Sequence, residues 1–320
     1  MKNTLVISGQ RNYTLLTIDI DSCDIDFSQY NRSVFYRILE RICWIFNLPF
    51  FYFFFPFMNR KIEKYKNIIL FECHYPVEVV KYIRKRNTNC NLIYWCWNSI
   101  DKIHTGKGYA LANEIKKLAE LQKKIKVKVA SFDMNDCDKY KLIYNNQLGV
   151  NMLSRNLSNQ VNNEYDVFFC GKDKDRINVI KKLDKIFCQQ GINMKCMLLP
   201  DDNKEYSLCD KNRYLINCEM DYVNMIKEEL KSKCILEIVQ NGQNGLTWRP
   251  LESLFYKKKL ITNYSAIKYQ KFYCKENVFI LGEDDIDKLY CFINSPYKDI
   301  SNKLIKHYLW NDWMRKLIEA

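Results

Sequence analysis

The sequence predicts an α/β protein made of two consecutive domains, each built around a parallel β-sheet. Short apolar runs alternate with amphipathic helical stretches along most of the chain, which is the pattern of parallel strands joined by right-handed crossovers. The alternation lapses in a polar, Asn-rich stretch at about 140–165 and then restarts, which predicts a domain boundary near residue 155. A chain of 320 residues is long for one core and sufficient for two.

The predicted first domain covers residues 1–155. It opens with the strand TLVIS, which Gly9 ends, and a second strand is predicted over 13–20 (YTLLTIDI). Continuous apolar runs predict strands that are buried on both faces, and helical apolar spacing predicts the segments between them. These further strands lie at 67–72, 91–96 and 126–132, and the helices lie at 33–47, 77–86 and 109–124.

The predicted second domain covers residues 156–320 and repeats the alternation. Gly191 stands where a helix C-cap is expected, and Asp221 stands where an N-cap is expected. A terminal helix over 301–318 is expected either within this domain or packed back on the first one. The predicted strands are 166–171, 193–200, 234–239, 259–263 and NVFIL at 277–281, with further helices at 175–191, 221–232 and 250–256.

Charge points to an anionic partner for the first domain. Residues 1–150 carry 23 Lys/Arg and 14 Asp/Glu (+9) of a net charge of +13 in the whole chain. A basic surface of this kind is typical of proteins that bind nucleic acid or the anionic inner leaflet of a membrane, although a solvated basic face gives the same count. No helix-turn-helix, zinc-finger or RNP pattern is visible, so we expect no nucleic-acid partner.

The cysteines predict a reducing compartment. The chain has 14 of them, scattered, with no CxxC pair. Several lie inside apolar runs, where a free cysteine acts as a small hydrophobic residue. The first residues, MKNTLVISGQ, do not have the pattern of a signal peptide. We therefore expect a cytoplasmic protein with free thiols.

One segment, Leu48–Phe57 (LPFFYFFFPF), has the composition of a membrane-contacting patch. It is too short for a spanning helix, which needs about 20 residues, and two prolines interrupt it. Basic neighbours on both sides fit an interfacial patch, and a buried core segment fits about as well.

The stretch NGQNGLTWRPLESLFYKKKLITN (241–263) carries the densest functional signal. A loop with Gly242 and Gly245 follows a predicted strand and precedes a helix, and ligands bind at such places in open α/β sheets. The helix N-terminus favours a phosphate. Arg249 in the first helical turn opposes the helix dipole and is better explained as a diphosphate ligand, and Glu252 one turn later can accept hydrogen bonds from a ribose diol. A plain turn with a solvent-exposed ion pair is the alternative.

This stretch resembles the C-terminal donor-site motif of GT-B glycosyltransferases. Together with NLIYWCWNSI (91–100), SFDMNDCDKYKLIYNNQ (131–147) and YDVFFCGKDKDR (165–176), it resembles a bacterial group encoded in capsule and O-antigen clusters, often labelled lipopolysaccharide biosynthesis proteins. The resemblance implies two Rossmann-like domains that face each other across a cleft. It also implies a nucleotide-diphosphate sugar in the second domain, with its ribose on Glu252.

Two departures from the resembled pattern affect the expected chemistry. Many retaining members carry a Glu eight residues before the ribose-binding one, where this chain has Asn244, and Glu237 is too far upstream to replace it simply. The stereochemistry of transfer is therefore open. Ser99 and Met134 also replace prolines of the group's W-N-P and F-D-P motifs, changes that need not affect the chemistry.

Further donor contacts are expected around the first strand of the second domain. Gly171, Lys172 and Arg176 follow that strand and could bind the donor phosphates, or form a polar loop in which Asp173 or Asp175 caps the next helix. The loop after 240 adds candidate donor contacts at Gln243, Asn244, Gly245 and Thr247.

Candidate catalytic and acceptor residues lie in the first domain. An inverting transfer needs a general base, and His74 and Glu72 at the end of the strand NIILFE are the candidates, with His74 the first choice. Candidate acceptor contacts follow other strands of the domain. The competing base candidates are Asp19, Asp21, Asp101 and His104, and the acceptor candidates are Gln10, Arg11, Trp97 and Asn98.

The predicted function is a metal-independent glycosyltransferase, of hexosyltransferase type, without a cofactor. It would move a sugar from a nucleotide-diphosphate donor to a lipid-linked saccharide in surface-polysaccharide synthesis, as a peripheral protein on the inner face of the cell membrane. DxD pairs occur in IDIDSCDID (18–26), but arginine, lysine and a helix dipole can stabilise the leaving diphosphate without a metal. The alternatives are a basic nucleic-acid-binding protein and a non-catalytic nucleotide-sugar-binding assembly protein.

Overall fold

The computed structural model divides the chain into two compact units. The first comprises Met1–Asn151 together with Tyr308–Ala320, and the second comprises Met152–His307. The structure describes residues 2–9, 17–27, 33–46, 48, 61–102, 111–149, 162–202, 204–239 and 245–320. Several residues named above lie outside these ranges: Gln10, Arg11, Phe57 and the rest of its segment after Leu48, His104, Gly242, Gln243 and Asn244.

The first unit contains a six-stranded parallel sheet in the order β2-β1-β3-β4-β5-β6. The strands are β1 Thr4–Ser8, β2 Asp24–Asp26, β3 Asn67–Phe71, β4 Asn91–Cys96, β5 Lys128–Ser131 and β6 Ile143–Tyr144. The helices before the second unit are α1 Val34–Ile45, α2 Pro76–Arg86, α3 Leu111–Leu121 and α4 Met134–Tyr140.

The second unit contains a five-stranded parallel sheet in the order β11-β10-β9-β7-β8. The strands are β7 Tyr165–Lys172, β8 Met194–Leu199, β9 Ser232–Glu237, β10 Lys259–Thr262 and β11 Val278–Ile280. The helices are α5 Ile177–Gln189, α6 Leu208–Tyr214, α7 Tyr222–Leu230, α8 Trp248–Tyr256, α9 Leu289–Asn294 and α10 Asn302–Lys306, followed by α11 Trp310–Glu319 of the first unit.

Both sheets have the doubly wound order of Rossmann-like folds. Counted within each unit, the first five strands lie in the order 2-1-3-4-5, and the first unit adds a sixth strand at the edge. The prediction of an α/β chain with two Rossmann-like units is confirmed. The strand order reverses between β1 and β3 and again between β7 and β9, and ligands bind at the carboxyl ends of strands beside such a switch point.

Apolar strands explain why these sheets form. The central strands are buried on both faces; in β4, for example, Leu92, Tyr94 and Trp95 are each at most 1% exposed. Helices α2 and α3 cover one face of the first sheet, where their apolar side chains join a single buried cluster with residues of β3 and β4. A strand buried on both faces needs this covering, which is why the sequence alternates strand and helix.

Helix α11 covers the other face of the first sheet. Trp310, Trp313 and Leu317 are fully buried there, and the Trp313 ring lies edge-on to Trp95 with centroids 4.8 Å apart. Asn145 Nδ2 also donates to the Trp313 carbonyl at 3.1 Å. The expected single helix over 301–318 is therefore wrong in its bounds, because two helices, α10 and α11, occupy that stretch and Leu309 is the N-cap of the second.

The strand predicted at 13–20 is wrong for its described part. Thr17–Ile20 are not in a strand, and β2 lies later, at Asp24–Asp26. The sequence of β2 is DID. With two carboxylates in three residues, it lacks the apolar pattern by which a strand is predicted from sequence. It forms because it pairs in parallel with β1 at the edge of the sheet, where Asp24 accepts a hydrogen bond from Tyr65 Oη at 2.6 Å.

The lysines of KKKLITN have structural partners at the opposite end of the second sheet from the strands' carboxyl ends. Lys258 Nζ donates to the carbonyl of Leu230, the last residue of α7, at 2.6 Å. Lys259 is 3% exposed and donates to the carbonyl of Phe292 near the end of α9. Cations at helix C-termini satisfy free carbonyls and oppose the helix dipole favourably. These two lysines therefore stabilise the second unit by capping α7 and α9.

Candidate functional site

Arg249 lies at the carboxyl edge of the second sheet. It is the second residue of α8, and its guanidinium donates to the Cys170 carbonyl in β7 and lies over the Phe169 ring, 5.3 Å from the centroid. A Cβ at Gly171 would lie 2.9 Å from Arg249 Nη2. Glycine at this position therefore lets the guanidinium lie against the end of β7, beside the switch point.

We expect Gly171→Ala to weaken donor binding while leaving the fold nearly unchanged. The atom that the new methyl group would meet is the far end of a flexible side chain, so Arg249 can move aside at small cost in stability. Displacing it should raise the KM for a nucleotide-sugar donor about tenfold, since one charge-assisted hydrogen bond contributes about 1.5–3 kcal/mol. Donor titration and thermal unfolding of the variant measure both effects.

The same substitution at Gly9 is the contrasting control. There a Cβ would lie 2.8 Å from the backbone carbonyl oxygen of Glu72, which cannot move without shifting the chain. Gly9→Ala should therefore lower the melting temperature clearly, whereas Gly171→Ala should not. Equal destabilisation by the two variants would contradict the assignment of Gly171 to Arg249 positioning.

Arg176 and Lys172 lie beside the same strand end but differ in the contacts that their side chains make. Arg176 donates to the carbonyls of Ile238 (2.7 Å) and Lys172 (2.8 Å), so it ties the end of β7 to the chain after β9. Burial, followed by repulsion from Arg249, lowers the pKa of Arg176 to about 10. Lys172 is exposed, and its nearest acid, Asp202, is 3.9 Å away. Arg176 therefore keeps a positive charge at this edge near neutral pH.

Helix α5 has Arg176 as its N-cap residue, and the Asp173 side chain binds its first amide. The Asp173 carboxylate accepts from the Ile177 amide at 2.8 Å and from Tyr206 Oη at 2.7 Å, and it pairs with Lys204 at 2.7 Å. Neither of the two expected cap residues is therefore the N-cap, although Asp173 holds the start of the helix through its carboxylate. Asp175 instead lies on the surface with a left-handed backbone (φ 64°).

Glu237, which the sequence pattern discounts, is the buried acid at the end of β9. It is 1% exposed and accepts hydrogen bonds from Thr247 and from Thr262 Oγ1, the latter at 2.6 Å. Burial raises its pKa, and the threonine hydrogen bonds and Arg249 lower it. The Thr247 hydroxyl is thus used on Glu237 and does not cap α8, although Thr247 is the N-cap residue.

Glu252 faces α7 beneath the same helix start. It is 3% exposed, and its Oε1 accepts from Tyr222 Oη at 2.7 Å. Burial raises its pKa, and Arg249 is the next influence, lowering it. Glu229 of α7, 2% exposed, is its carboxyl neighbour: burial and Glu252 together raise the pKa of Glu229 well above the ordinary range. Two adjacent buried carboxyls repel each other's negative charge, so each disfavours the ionised form of the other.

Three buried acids therefore surround one arginine at the start of α8. Arg249 lowers the pKa of Glu252, Glu237 and Glu229 through its charge. Gly245, buried in the described structure, and Thr247 lead into the helix. The sequence predicted Arg249 and Glu252, whereas Glu229 carries no motif and was missed. Whether any of these side chains contacts a donor stays a prediction.

The first unit presents a second acid at its own switch point. Glu72 follows β3 directly, is 6% exposed and has a left-handed backbone (φ 42°). Its Oε1 accepts from Asn98 Nδ2 at 2.7 Å and from the Asn98 amide at 3.1 Å. Burial raises its pKa, and both Asn98 bonds lower it. A carboxyl held in this way, with a strained backbone at a strand end, is typical of functional sites.

The other candidate base and acceptor residues of the first unit differ in exposure and in the contacts they make. His74 is exposed beside Tyr75, with ring centroids 6.5 Å apart. Trp97 is half-buried against the Phe71 ring, with centroids 5.6 Å apart, so core packing uses part of its surface. Asp101 pairs with Lys116 at 2.9 Å and Lys139 at 2.6 Å, and these cations hold its pKa far below the ordinary range. This ion-paired carboxylate is wrong as a candidate base.

The early acids have structural partners too. Asp19 accepts from Asn311 Nδ2 of α11 at 3.3 Å, and the Asp21 amide donates to Asp19 Oδ1. Asp24 pairs with Lys64 at 3.5 Å in addition to Tyr65. Within the described part of the chain, no three His, Cys, Asp or Glu side chains converge as metal ligands would.

Comparisons with known proteins return structural similarity alone. No family model matches the sequence, and no curated protein matches it. Among solved structures, one described as the glycotransferase of kitacinnamycin is 9% identical with a TM-score of 0.47, over 100% of this chain and 99% of that one. A sucrose-phosphate synthase from Thermosynechococcus elongatus is 8% identical with a TM-score of 0.44, over 100% of this chain and 94% of that one.

Proposed function

We propose that this chain is a glycosyltransferase that binds a nucleotide-diphosphate sugar in its second unit. The observation that carries the proposal is the position of Arg249, in the first turn of α8 and against Gly171 at the switch point of the second sheet. A guanidinium at a helix N-terminus is unfavourable for the helix dipole, although here it also offsets the charge of buried acids. A bound diphosphate would add a partner that matches it in charge and in bidentate geometry.

The donor would lie across the carboxyl ends of β7 and β9. Its diphosphate would contact Arg249 and the amides at the start of α8, with Lys172 and Arg176 supplying further positive charge. Glu252 would accept hydrogen bonds from the ribose, as acidic side chains do in nucleotide sites of this fold. Glu229 and Tyr222 would hold that carboxylate in place, because both are directed at it from α7.

For an inverting transfer, we assign the base to Glu72, with His74 as the alternative. The acceptor hydroxyl would give its proton to the Glu72 carboxylate as its oxygen attacks the anomeric carbon. The bond from that carbon to the diphosphate oxygen would break, and Arg249 and the helix dipole would stabilise the leaving diphosphate. The raised pKa of Glu72 supports this choice, because a buried carboxylate is a stronger base than an exposed one.

The proposed acceptor is a lipid-linked saccharide at an anionic membrane, as in surface-polysaccharide synthesis, and the proposed activity is metal-independent hexosyl transfer. The charge of +9 on residues 1–150 supports an anionic surface as partner. No helix in the described residues is long and apolar enough to span a bilayer. We propose that contact with the membrane is peripheral.

A nucleotide panel tests the donor assignment. UDP, GDP, dTDP or CMP at about 100 times its Kd should stabilise the folded chain by about 2.7 kcal/mol, a rise of several degrees in melting temperature. Glu252→Gln should reduce this rise for the nucleotide that binds. If none of the four nucleotides changes the melting temperature, the donor site is wrong.

Turnover separates the remaining alternatives. Slow hydrolysis of one nucleotide-sugar from a panel identifies a transferase and its donor, whereas nucleotide binding without any hydrolysis or transfer favours a non-catalytic assembly protein. Salt-sensitive binding of DNA at micromolar affinity, without nucleotide binding, would favour the nucleic-acid-binding alternative that the net charge suggests.

A further inference from the structure

Helix α1 has its apolar side chains directed to solvent. Large hydrophobic residues along it are between 42 and 68% exposed in the folded chain. Tyr36, 57% exposed, lies on another side of the helix; the residues that share one side are Val34, Phe35, Ile38, Ile42, Ile45 and the C-cap residue Phe46. A surface helix normally turns such residues toward the core, and exposed apolar patches of this size usually mark an interaction surface.

Helical geometry groups these residues on one side. At about 100° per residue, the six fall within an arc of roughly 120°, and Arg37 and Arg41 lie next to one edge of it. Glu40 and Cys43 lie on the opposite side and are buried, with Cys43 in the first unit's core. Trp44 packs on Tyr75 with ring centroids 5.4 Å apart. The helix is therefore anchored through its less apolar side.

The helix is formed independently of any partner. Ser33 caps its N-terminus, accepting from the Tyr36 amide at 3.4 Å, and the Phe46 amide donates to the Ile42 carbonyl at 3.0 Å. The outward arc therefore lies on a helix whose ends are closed by hydrogen bonds within the chain.

We propose that α1 is a membrane-binding helix that inserts its apolar arc at the headgroup boundary of an anionic bilayer. A convex ridge of aliphatic and aromatic side chains with arginines along its edge has the composition of an interfacial helix. The arginines and the +9 charge of residues 1–150 complement anionic headgroups, which would not be needed for a second copy of this basic chain. The inference rests on the membrane contact of the proposed function, which it assigns to α1, and does not depend on the donor chemistry.

Vesicle binding by the full chain, without nucleotide, tests the proposal. Wild-type protein should pellet with phosphatidylcholine vesicles containing 30% phosphatidylglycerol and much less with pure phosphatidylcholine. Ile38→Ser/Ile42→Ser/Ile45→Ser should weaken this binding at least tenfold, because it removes the middle of the arc. Arg37→Gln should weaken it several-fold and reduce its sensitivity to salt.

Two further variants serve as controls. Val179→Ser/Leu208→Ser removes exposed apolar side chains of the second unit (41 and 74% exposed) and should leave vesicle binding unchanged. The serine variants should keep the wild-type melting temperature, since the replaced side chains face solvent. The nucleotide-induced rise should also persist in them, which separates failure of this inference from failure of the donor site.

Several outcomes would overturn the inference. Unchanged vesicle binding by the triple variant would do so. So would loss of binding only in Phe53→Ser/Phe54→Ser, which would assign attachment to the Phe-rich segment instead. A wild-type dimer that becomes monomeric in the triple variant, with no vesicle binding by either, would identify the arc as a contact between two copies.

Discussion

Glu72→Gln is expected to lower the kcat of sugar transfer by about 10²–10⁴-fold, the usual contribution of a general base. Glutamine retains the carbonyl oxygen that accepts the two hydrogen bonds from Asn98, so the strand end should keep its geometry. It cannot accept the acceptor's proton. The measurement is a turnover assay with the donor that the nucleotide panel identifies, at saturating acceptor.

The pH dependence of the turnover rate and of the melting temperature provides a second test of Glu72. Burial raises the pKa of Glu72, so the wild-type rate should fall as the pH falls through that raised value, since only the ionised form is a base. The stability of the folded chain depends on pH in the opposite direction from the rate. A carboxyl with a raised folded pKa favours the folded state at pH below its unfolded pKa, and that contribution is lost as the pH rises through the folded pKa. Glu72→Gln should therefore gain in melting temperature over wild type as the pH increases.

His74→Ala is the discriminating variant for the base. If Glu72 is the base, this replacement of an exposed side chain should change kcat by less than about tenfold and leave the acid limb of the pH profile in place. A loss of several hundredfold in His74→Ala, together with near-normal turnover in Glu72→Gln, would assign the base to His74 and leave Glu72 as a residue that holds Asn98.

Arg249→Lys is expected to lower kcat/KM for the donor by about 10–100-fold, because lysine can keep only one of the two hydrogen bonds. Lysine keeps the charge that opposes the buried acids but loses the planar fork that binds a diphosphate with two hydrogen bonds. Each charge-assisted hydrogen bond contributes about 1.5–3 kcal/mol, and about 1.4 kcal/mol corresponds to a factor of ten. Steady-state kinetics and nucleotide titration measure the effect.

Arg249→Ala separates binding from stability at the same position. Removing the cation should raise the pKa of Glu252 and Glu237 further, because Arg249 now lowers both. The variant should therefore lose stability relative to wild type at neutral pH and recover part of it at lower pH, where the acids are protonated. Arg315→Ala, at an exposed arginine of α11, is the matched control and should leave kinetics and stability nearly unchanged. Donor kinetics like wild type in Arg249→Lys would contradict the diphosphate assignment.

The fold was predictable where strands are buried on both faces. The run NLIYWC at 91–96 matches β4 residue for residue. A short, continuous apolar segment between polar residues is typical of a strand that is buried on both faces. Strand β2 was not predictable. Its sequence DID forms a strand only because β1 offers a free edge, and that pairing is a property of the assembled sheet. Helix α4 was also not predicted. It has only seven residues, and its N-cap residue, Asp133, was interpreted as part of the motif that resembles F-D-P.

The site was predictable to the extent that its residues lie close together in sequence. Arg249 and Glu252 share one helix, and the glycine loop before them marks a strand-to-helix turn. Glu237 was discounted because it lies too far upstream of the position at which related motifs carry a glutamate. Its hydrogen-bond partners, Thr247 and Thr262, come 10 and 25 residues later, and the sequence pattern does not show that they meet it. Glu229 belongs to a different helix from Glu252, and an acid in an amphipathic helix gives no indication that it will be buried beside another.

Because α11 belongs to the first unit, the order in which the two units can fold during synthesis differs from their order in the sequence. The second unit, Met152–His307, is continuous in sequence and can complete its core as soon as its last residues leave the ribosome. The first unit, although made earlier, must wait for Trp310, Trp313 and Leu317, which cover one face of its sheet. Until then Phe71 and Trp95 lack that cover. Loss of the final thirteen residues, 308–320, would thus damage the unit that begins at residue 1.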